Sequence, residues 1–356
     1  MENNENSSRI IYADIIRILS TFAVIVLHVA SSKWYETPVN EYSWQIFNIY
    51  DSLTRFCVPL FVMLSGMFFL NPDKDISISE IYKKYILRLL LAIYFWGIFY
   101  QATNILIKYY LDKEIINVEI IKISIGKIIL GPPWYHLWYL YMLIGLYILT
   151  PIYRIISKYA TKENLLYFIS IFFIFGTCLN LVNKLLSFID SRCKIFLSID
   201  SLVDYTGYFF IGYYLSKYDL KKMTRYIIYS LAGGGIVTTI LITSYISCKD
   251  NIPNASFYDY FLPANFFVAC SIFIFFKQKK FSFSTNMEKI IVNISKKTFG
   301  IYLIHDFIRD IFFRIGLTSD FINPIVAVPV VSILIFLTSL LITFLLEKIV
   351  LVKYVI

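Results

Sequence analysis

Long apolar runs alternate with short polar stretches along the whole chain. Many of the runs reach the ~20 residues that a helix needs to cross a bilayer. The predicted transmembrane helices are 11–30, 45–70, 87–107, 136–153, 165–182, 201–216, 226–247, 260–276, 298–316 and 323–346. The pattern therefore predicts an all-α polytopic membrane protein with about ten transmembrane helices.

Lysine and arginine are unevenly distributed between the predicted connections. If the N-terminus is cytoplasmic, most of the 33 lysines and arginines fall on the cytoplasmic side, as the positive-inside rule requires. We therefore predict that the N-terminus and the C-terminus are both cytoplasmic. The net charge of +9 is explained by these loops, and no nucleic-acid partner is expected.

The spans and their short loops account for nearly all of the sequence. We interpret 1–356 as a single membrane domain, because no stretch could hold a soluble domain of ~100 residues. Residues 1–10 form a polar N-terminal tail without a cleavable signal peptide. Charges recur among the isoleucines of 111–133, which favours an interfacial segment over a span. The five cysteines have no metal-binding or disulfide spacing, so no metal is expected.

The first predicted helix carries an unusual set of polar residues. Asp14, Arg17, Thr21 and His28 form one stripe on it, although ionisable groups inside a bilayer are costly and usually functional. Arg17 and His28 are eleven residues apart, which is about three turns and roughly 16 Å along a helix axis. A basic group near one face and an imidazole near the other indicate chemistry that uses both sides of the membrane.

The chain has only three histidines, and the predicted topology puts each of them in a span or at its end. His28 ends the first helix and His136 begins the fourth, both at the outer side, whereas His305 lies midway along the ninth. An imidazole can accept and return a proton near neutral pH, which suits a general base. Alternatively, each histidine could cap a helix or satisfy a hydrogen bond inside the bundle.

Other polar residues also allow two interpretations. Arg17, Lys84 and Arg88 could bind a phosphate-rich cytosolic ligand, or they could only anchor helices at the cytoplasmic boundary. Asp14 could form an ion pair with Arg17 on the same helix. Ser65 could be a nucleophile, but packing between helices is the simpler role, since no base is near it in sequence.

Several segments, in order along nearly the whole chain, match one family pattern. They are Asp14 with the Arg17-to-His28 motif, VPLFVMLSGMFFL at 58–70, the basic pair Lys84 and Arg88, YHLWYLYMLIGLYILTPIYR at 135–154, and FGIYLIH at 299–305. On these segments the chain resembles the acyltransferase-3 family of integral membrane acyltransferases, most of all its enterobacterial common antigen O-acetyltransferase type. The membrane part of membrane-bound serine racemases and the poly-N-acetylglucosamine O-succinyltransferases are also similar.

The resemblance implies an O-acyltransferase of the cell membrane (plasma or inner membrane). The donor would be a cytosolic acyl-CoA, usually acetyl-CoA, which is a co-substrate rather than a bound cofactor. The acceptor would be a hydroxyl of a cell-surface glycan or a lipid-linked sugar at the outer side. The remaining partners would be membrane lipids.

The resemblance and the residue pattern together suggest roles for ten residues. His28 is expected to be the general base, with Arg17 and Asp14 positioning the donor or the helix. Tyr302 and His305 are expected to line the cavity and assist the developing oxyanion. The expected substrate-binding residues are His136, Trp138, Tyr302 and Ser65, and the expected acyl-CoA phosphate ligands are Lys84 and Arg88.

Two other functions fit the same sequence. In a transporter or flippase, the polar stripe would line a substrate path. In a non-catalytic membrane partner of a glycan pathway, the histidines would be structural. We see no convincing internal repeat, which weakens the transporter interpretation.

Overall fold

The computed structural model of the protein describes residues 10–188, 190, 192–195, 197, 200–349 and 352–356. Every regular element within these residues is helical, which confirms the all-α prediction. The helices are α1 (Ile11–Ser31), α2 (Tyr42–Thr54), α3 (Cys57–Phe69), α4 (Ile78–Glu80), α5 (Leu87–Tyr110), α6 (Val118–Leu130), α7 (Trp138–Tyr159), α8 (Lys162–Ile171), α9 (Leu179–Ser187), α10 (Asp200–Lys217), α11 (Lys222–Asp250), α12 (Pro263–Gln278), α13 (Thr285–Arg314) and α14 (Pro324–Leu346). Two π-helical segments, Ile81–Ile86 and Phe172–Cys178, connect α4 to α5 and α8 to α9.

Among the described residues, eight helical segments are long and apolar enough to cross a membrane. They are Ile11–Ser31, Tyr42–Phe69, Ile78–Tyr110, Val118–Tyr159, Lys162–Ser187, Lys222–Asp250, Ser256–Gln278 and Pro324–Leu346. Helices α10 and α13 form where spans were predicted at 201–216 and 298–316, but they are not among the eight. The count of about ten and the side of each terminus therefore stay predictions.

Two further predictions concern the polar N-terminal tail and the interfacial segment 111–133. Residues 1–9 of the polar tail lie outside the described residues. Within the predicted interfacial segment 111–133, α6 forms and is largely exposed. Whether α6 lies at the membrane surface stays a prediction.

The second predicted span consists of two helices with a break between them. Helix α2 ends at Thr54 and α3 begins at Cys57. Pro59 is in the first turn of α3, where backbone N–H groups have no partner inside the helix, so the missing N–H costs little there. The break therefore precedes the proline, and Arg55 at the break donates to the side chain of Asp51.

Helices α3 and α10 approach each other backbone to backbone. A Cβ atom on Gly66 would overlap the carbonyl oxygen of Phe209, and one on Gly212 would overlap the carbonyl oxygen of Met63. Small residues allow such close packing where the surrounding lipid provides no hydrophobic drive for helix association. The missing side chains of Gly66 and Gly212 therefore permit the backbone contact between α3 and α10.

Helix α1 lies at the centre of the bundle, in contact with α2, α3, α12, α13 and α14. Its contacts with α13 follow chain order in both helices, so α1 and α13 run parallel. The pairs in contact are Asp14 with Ser295, His28 with His305, and Ser32 with Arg309. The polar stripe of α1 therefore faces a polar stripe on α13.

Candidate active site

The three histidines of the chain form one cluster. Nδ1 of His28 lies 2.8 Å from Nε2 of His305, and the two rings are stacked. The ring of His136 lies 5.2 Å from that of His305 and 6.3 Å from that of His28, centroid to centroid. His28 comes from the last turn of α1, His305 from the middle of α13, and His136 from the short 3₁₀ turn Tyr135–Leu137 before α7.

The hydrogen bonds around His305 define which ring nitrogens carry protons. Nδ1 of His305 lies 2.6 Å from the carbonyl oxygen of Tyr302, and a carbonyl can only accept, so this nitrogen is the donor. In the neutral ring, Nε2 of His305 must then accept the hydrogen bond from Nδ1 of His28. This leaves Nε2 of neutral His28 with a free lone pair, which is the protonation state that a general base needs.

Beside this cluster, the carboxylate of Asp306 on α13 binds the segment that precedes α7. Asp306 is fully buried and accepts hydrogen bonds from Trp134 Nε1 and Tyr135 Oη, both at 2.5 Å. It also forms a salt bridge with Arg309 at 2.8 Å. Arg309 in turn donates to the hydroxyl of Ser32, near the end of α1. The network therefore fixes the 3₁₀ turn that carries His136 against both histidine-bearing helices.

His136 itself is held by its backbone, whereas its ring has no hydrogen-bond partner. The hydroxyl of Tyr302 donates to the His136 carbonyl oxygen at 2.5 Å. The side chain is 2% exposed, and neither ring nitrogen makes a hydrogen bond within the described residues. Buried polar atoms are nearly always hydrogen-bonded, so this ring is exceptional.

A small cavity of about 30 Å³ lies beside the cluster. His28 and His136 both line it, and so does Trp138, whose ring stacks on that of Tyr260 at a centroid distance of 6.3 Å. His305 is behind His28, 1% exposed, and does not line the cavity. Of the hydrogen-bonded pair His28 and His305, His28 is thus the one that presents a free nitrogen next to open space.

At the other end of α1, Arg17 and Asp14 meet a serine from α13. Arg17 donates to Asp14 Oδ1 at 3.1 Å and to Ser295 Oγ at 3.0 Å. Ser295 donates to the same Asp14 oxygen at 2.5 Å. The predicted ion pair therefore forms within a triangle that holds the guanidinium group in place.

A larger cavity of about 290 Å³ begins at this basic end. Arg17 and Arg88 line it, together with aromatic side chains of α3, α7, α13 and the π-helical segment before α5. Three residues line both this cavity and the small one: Phe61, Tyr139 and Tyr302. Their rings are packed together, with Tyr139 at 5.9 Å from Phe61 and 5.7 Å from Tyr302. We call these three residues the aromatic neck.

The side chains of the remaining predicted site residues are bound to other groups of the protein. Ser65 lines the large cavity but donates to the carbonyl of Phe61 in its own helix, at 3.0 Å. Arg88 donates to the backbone carbonyl of Ile356 at 2.5 Å. Lys84 is exposed, forms a salt bridge with Glu80 at 3.0 Å, and does not line the large cavity.

The C-terminal end of α1 is linked to the loop that follows α13. Lys33 forms a salt bridge with Asp320 at 2.7 Å. Burial alone would raise the pKa of the Asp320 carboxyl group, but hydrogen bonds from Lys33 and Thr318 outweigh it and hold that pKa below its ordinary value. Asp320 is therefore ionised at neutral pH, and the bridge connects two of the elements around the histidines.

The structure adds residues that the sequence did not single out. Ser295 joins the Asp14 and Arg17 pair, while Trp134 and Tyr135 bind Asp306. The pattern gave no signal for Ser295, because a serine in a polar helix segment is ordinary. Asp306 and Arg309 were detectable as an i, i+3 charged pair inside a predicted span. Among the described residues, no group of three or more His, Cys, Asp or Glu side chains is arranged to hold a metal ion.

The fold and the site define a helical, multi-pass membrane protein with a polar centre between its helices. A family model for the acyltransferase domain of the acyltransferase-3 family matches residues 10–346. The chain therefore belongs to this family and is a membrane acyltransferase. Comparisons with curated proteins and with solved structures found no match.

Proposed function

We propose that the protein transfers an acyl group from cytosolic acyl-CoA to a hydroxyl of a saccharide on the opposite side of the cell membrane. The observation that carries this proposal is the pair of cavities joined by the aromatic neck. One cavity has Arg17 and Arg88 in its wall, and the other has His28 and His136. Donor and acceptor could therefore approach the same point from opposite sides.

The larger cavity suits the donor. Guanidinium groups bind phosphate in a bidentate manner, so Arg17 and Arg88 would attract the phosphates of CoA. At about 290 Å³, the cavity is near the lower limit of ligand pockets, which is roughly 300 Å³. It therefore suits the narrow pantetheine arm, with the nucleotide near the exposed Lys84. Acetyl-CoA is the expected donor, and no bound cofactor is needed.

The chemistry requires one base and one leaving group. Nε2 of His28 takes the proton of the acceptor hydroxyl, and the oxygen attacks the thioester carbonyl carbon. When the tetrahedral intermediate collapses, the carbon–sulfur bond breaks and the CoA thiolate leaves. His28 returns the proton to that sulfur, so the atoms balance and no acyl-enzyme is required. Arg17 and Asp14 act on the donor rather than at the reacting carbon.

The aromatic neck would have to admit the acyl group. Phe61, Tyr139 and Tyr302 line both cavities. Rotation of the Phe61 and Tyr139 side chains would open a passage while Tyr302 keeps its hydrogen bond to the His136 carbonyl. The acyl end of the donor could thus reach His28 while the rings still exclude water. Water exclusion matters because it protects the thioester from hydrolysis.

The acceptor would bind at the histidine side. Trp138 and Tyr260 present stacked rings beside His28, and aromatic faces of this kind suit the apolar face of a sugar. Either a glycan or a lipid-linked sugar could reach this side from the membrane surface. An O-acetyl product on a cell-surface polysaccharide is the outcome we expect.

The proposal is tested with membranes that contain the protein, acetyl-CoA labelled in its acetyl group, and glycan extracted from cells lacking the protein. Label should enter the glycan with the wild type and not with His28→Ala. Transport or flipping without label transfer would instead support a transporter. Unchanged glycan modification by His28→Ala would support a non-catalytic partner, and either result would overturn the proposal.

A further inference from the structure

We propose that His136 is the hydrogen-bond donor that stabilises the oxyanion formed during acyl transfer. This inference rests on the acyl-transfer function proposed above. It assigns His136 a catalytic task that differs from proton abstraction by His28. The evidence is the unsatisfied imidazole of His136, its fixed position and its placement opposite His28.

The imidazole of His136 is buried without a hydrogen bond. Its side chain is 2% exposed, both ring nitrogens lack a partner within the described residues, and the ring lines the small cavity. The carbonyl oxygen of Leu303 is close enough to interact with this ring but makes no hydrogen bond of normal geometry to it, and it accepts the hydroxyl of Tyr100 at 2.8 Å. A ring with an unused N–H beside a cavity is ready to donate to a group that arrives only during the reaction.

The ring of His136 is also held rigidly. Tyr302 donates to its backbone carbonyl, and the rings of Tyr100 and Tyr302 pack edge-on against it at centroid distances of 5.3 Å and 5.4 Å. A donor that is already oriented before the charge develops stabilises a transition state without reorganisation. These contacts therefore meet the main requirement for an oxyanion donor.

Other polar groups in the cluster are already engaged. The Tyr302 hydroxyl donates to the His136 carbonyl. Both nitrogens of His305 have partners, the Tyr302 carbonyl and His28. Sequence patterns made Tyr302 and His305 equal candidates for the oxyanion, but the contacts favour the histidine whose ring nitrogens remain unpaired.

His28 and His136 flank the space where a reacting carbon would lie. Their rings are 6.3 Å apart, too far for a direct hydrogen bond, and both line the small cavity. As the acceptor oxygen bonds to the thioester carbon, the carbonyl electron pair moves onto its oxygen, to which the His136 N–H donates. The pair returns when the carbon–sulfur bond breaks. His136 keeps its proton throughout, whereas His28 takes one and returns it.

Substitutions that keep or remove the N–H distinguish this role from others. His136→Leu should lower kcat for labelled acetyl transfer to extracted glycan by about 10²–10³-fold, as is typical for loss of an oxyanion donor. The KM for acetyl-CoA should change less than about threefold, since a purely transition-state interaction is lost. The kcat of the more active of the two amide variants, His136→Asn and His136→Gln, should be at least ten times that of His136→Leu.

The amide variants are informative because Asn can present an N–H near the position of Nδ1 and Gln near that of Nε2. Neither amide can accept a proton at neutral pH, so a histidine acting as a second base would not be rescued. Equal activity of His136→Leu and the wild type would overturn the proposal. The ring of His136 would then serve only for packing or for binding a water molecule. Amide variants no better than His136→Leu would overturn it as well.

Folding and the underlying function are checked separately. Monodisperse elution in detergent and unchanged CoA affinity establish that each variant is folded. If His136→Leu does not fold, the better amide variant must keep at least a hundredth of the wild-type kcat, or the proposal is wrong. A wild type that transfers no acetyl group would contradict the proposed function, whereas an active wild type with an insensitive His136 would contradict this inference alone.

Discussion

At the scale of single residues, the site consists of two polar groups at opposite ends of α1. One is the Asp14, Arg17 and Ser295 triangle, and the other is the pair of His28 and His305. One residue in each group acts through its neighbours. His305 does not line the small cavity, and the hydroxyl of Ser295 is hydrogen-bonded to Asp14 and Arg17. Their substitution should therefore affect different steps.

Replacing His305 by alanine should lower kcat while leaving the KM for acyl-CoA nearly unchanged. Without the acceptor for its Nδ1–H, His28 loses its orientation and its preferred tautomer, and misplacement of a catalytic group can cost about 10²-fold. Steady-state kinetics of labelled acetyl transfer would measure this. A variant with normal kcat would mean that His28 is oriented by other contacts.

Replacing Ser295 by alanine should act on donor binding instead. Arg17 would lose one of its hydrogen-bond partners, so the affinity for CoA should fall a few-fold with little change in kcat. Binding of CoA to detergent-solubilised protein would measure it. Ser332→Ala is the matched control, since Ser332 is buried in α14 and only donates to the Val328 carbonyl of its own helix.

At the scale of helices, backbone contact between α3 and α10 holds the wall of the larger cavity in place. Gly66 follows Ser65, which lines that cavity. The backbone of α10 leaves no space for a methyl group at Gly66, and the backbone of α3 leaves none at Gly212. Over-packing at a buried contact typically costs about 1–3 kcal/mol. The neighbour at these positions is backbone, which cannot rotate away.

We expect Gly66→Ala and Gly212→Ala each to lower the melting temperature and the yield of folded protein in detergent. The control is Gly145→Ala in α7, where an added Cβ would meet no atom within 4 Å. That substitution should be neutral or slightly stabilising, because alanine favours helix over glycine. Equal loss in all three variants would mean that tight packing is not the cause.

At the scale of the whole molecule, the parallel contact between α1 and α13 constrains the topology. If two parallel helices both cross the membrane, the chain must cross an even number of times before the second one begins, with the first helix included in the count. Seven of the eight segments that are long and apolar enough to cross precede α13. If each crosses once, α10 must cross as well, which leads to ten spans with both termini on one side.

This expectation can be tested by labelling single cysteines in intact cells. Cys193, which is exposed between α9 and α10, should react with a membrane-impermeant maleimide from outside. A cysteine introduced as Lys221→Cys, between α10 and α11, should react only after permeabilisation. Cys193 would be tested in a variant without the other four cysteines, and Lys221→Cys in a variant without any of the five native cysteines. Labelling of both from the same side would exclude a crossing by α10.

The sequence by itself determined the helical class, the approximate position of the spans and the unusual first helix. Apolar runs of spanning length and charges inside a span are local properties, so they can be read without the fold. Arg17, His28 and the three histidines were detectable for the same reason, since ionisable groups in a span are rare. The matching segments also led to the family that the chain belongs to.

Only the tertiary structure decided which helices meet. Lipid and protein interior are similarly apolar, so hydrophobicity does not indicate the neighbours of a membrane helix. The pairing of His28 with His305, the unpaired ring of His136 and the role of Ser295 all depend on α1 and α13 packing in parallel. Hydrogen-bond partners separated by nearly 300 residues leave no trace in local patterns, and here they define which nitrogen can act as a base.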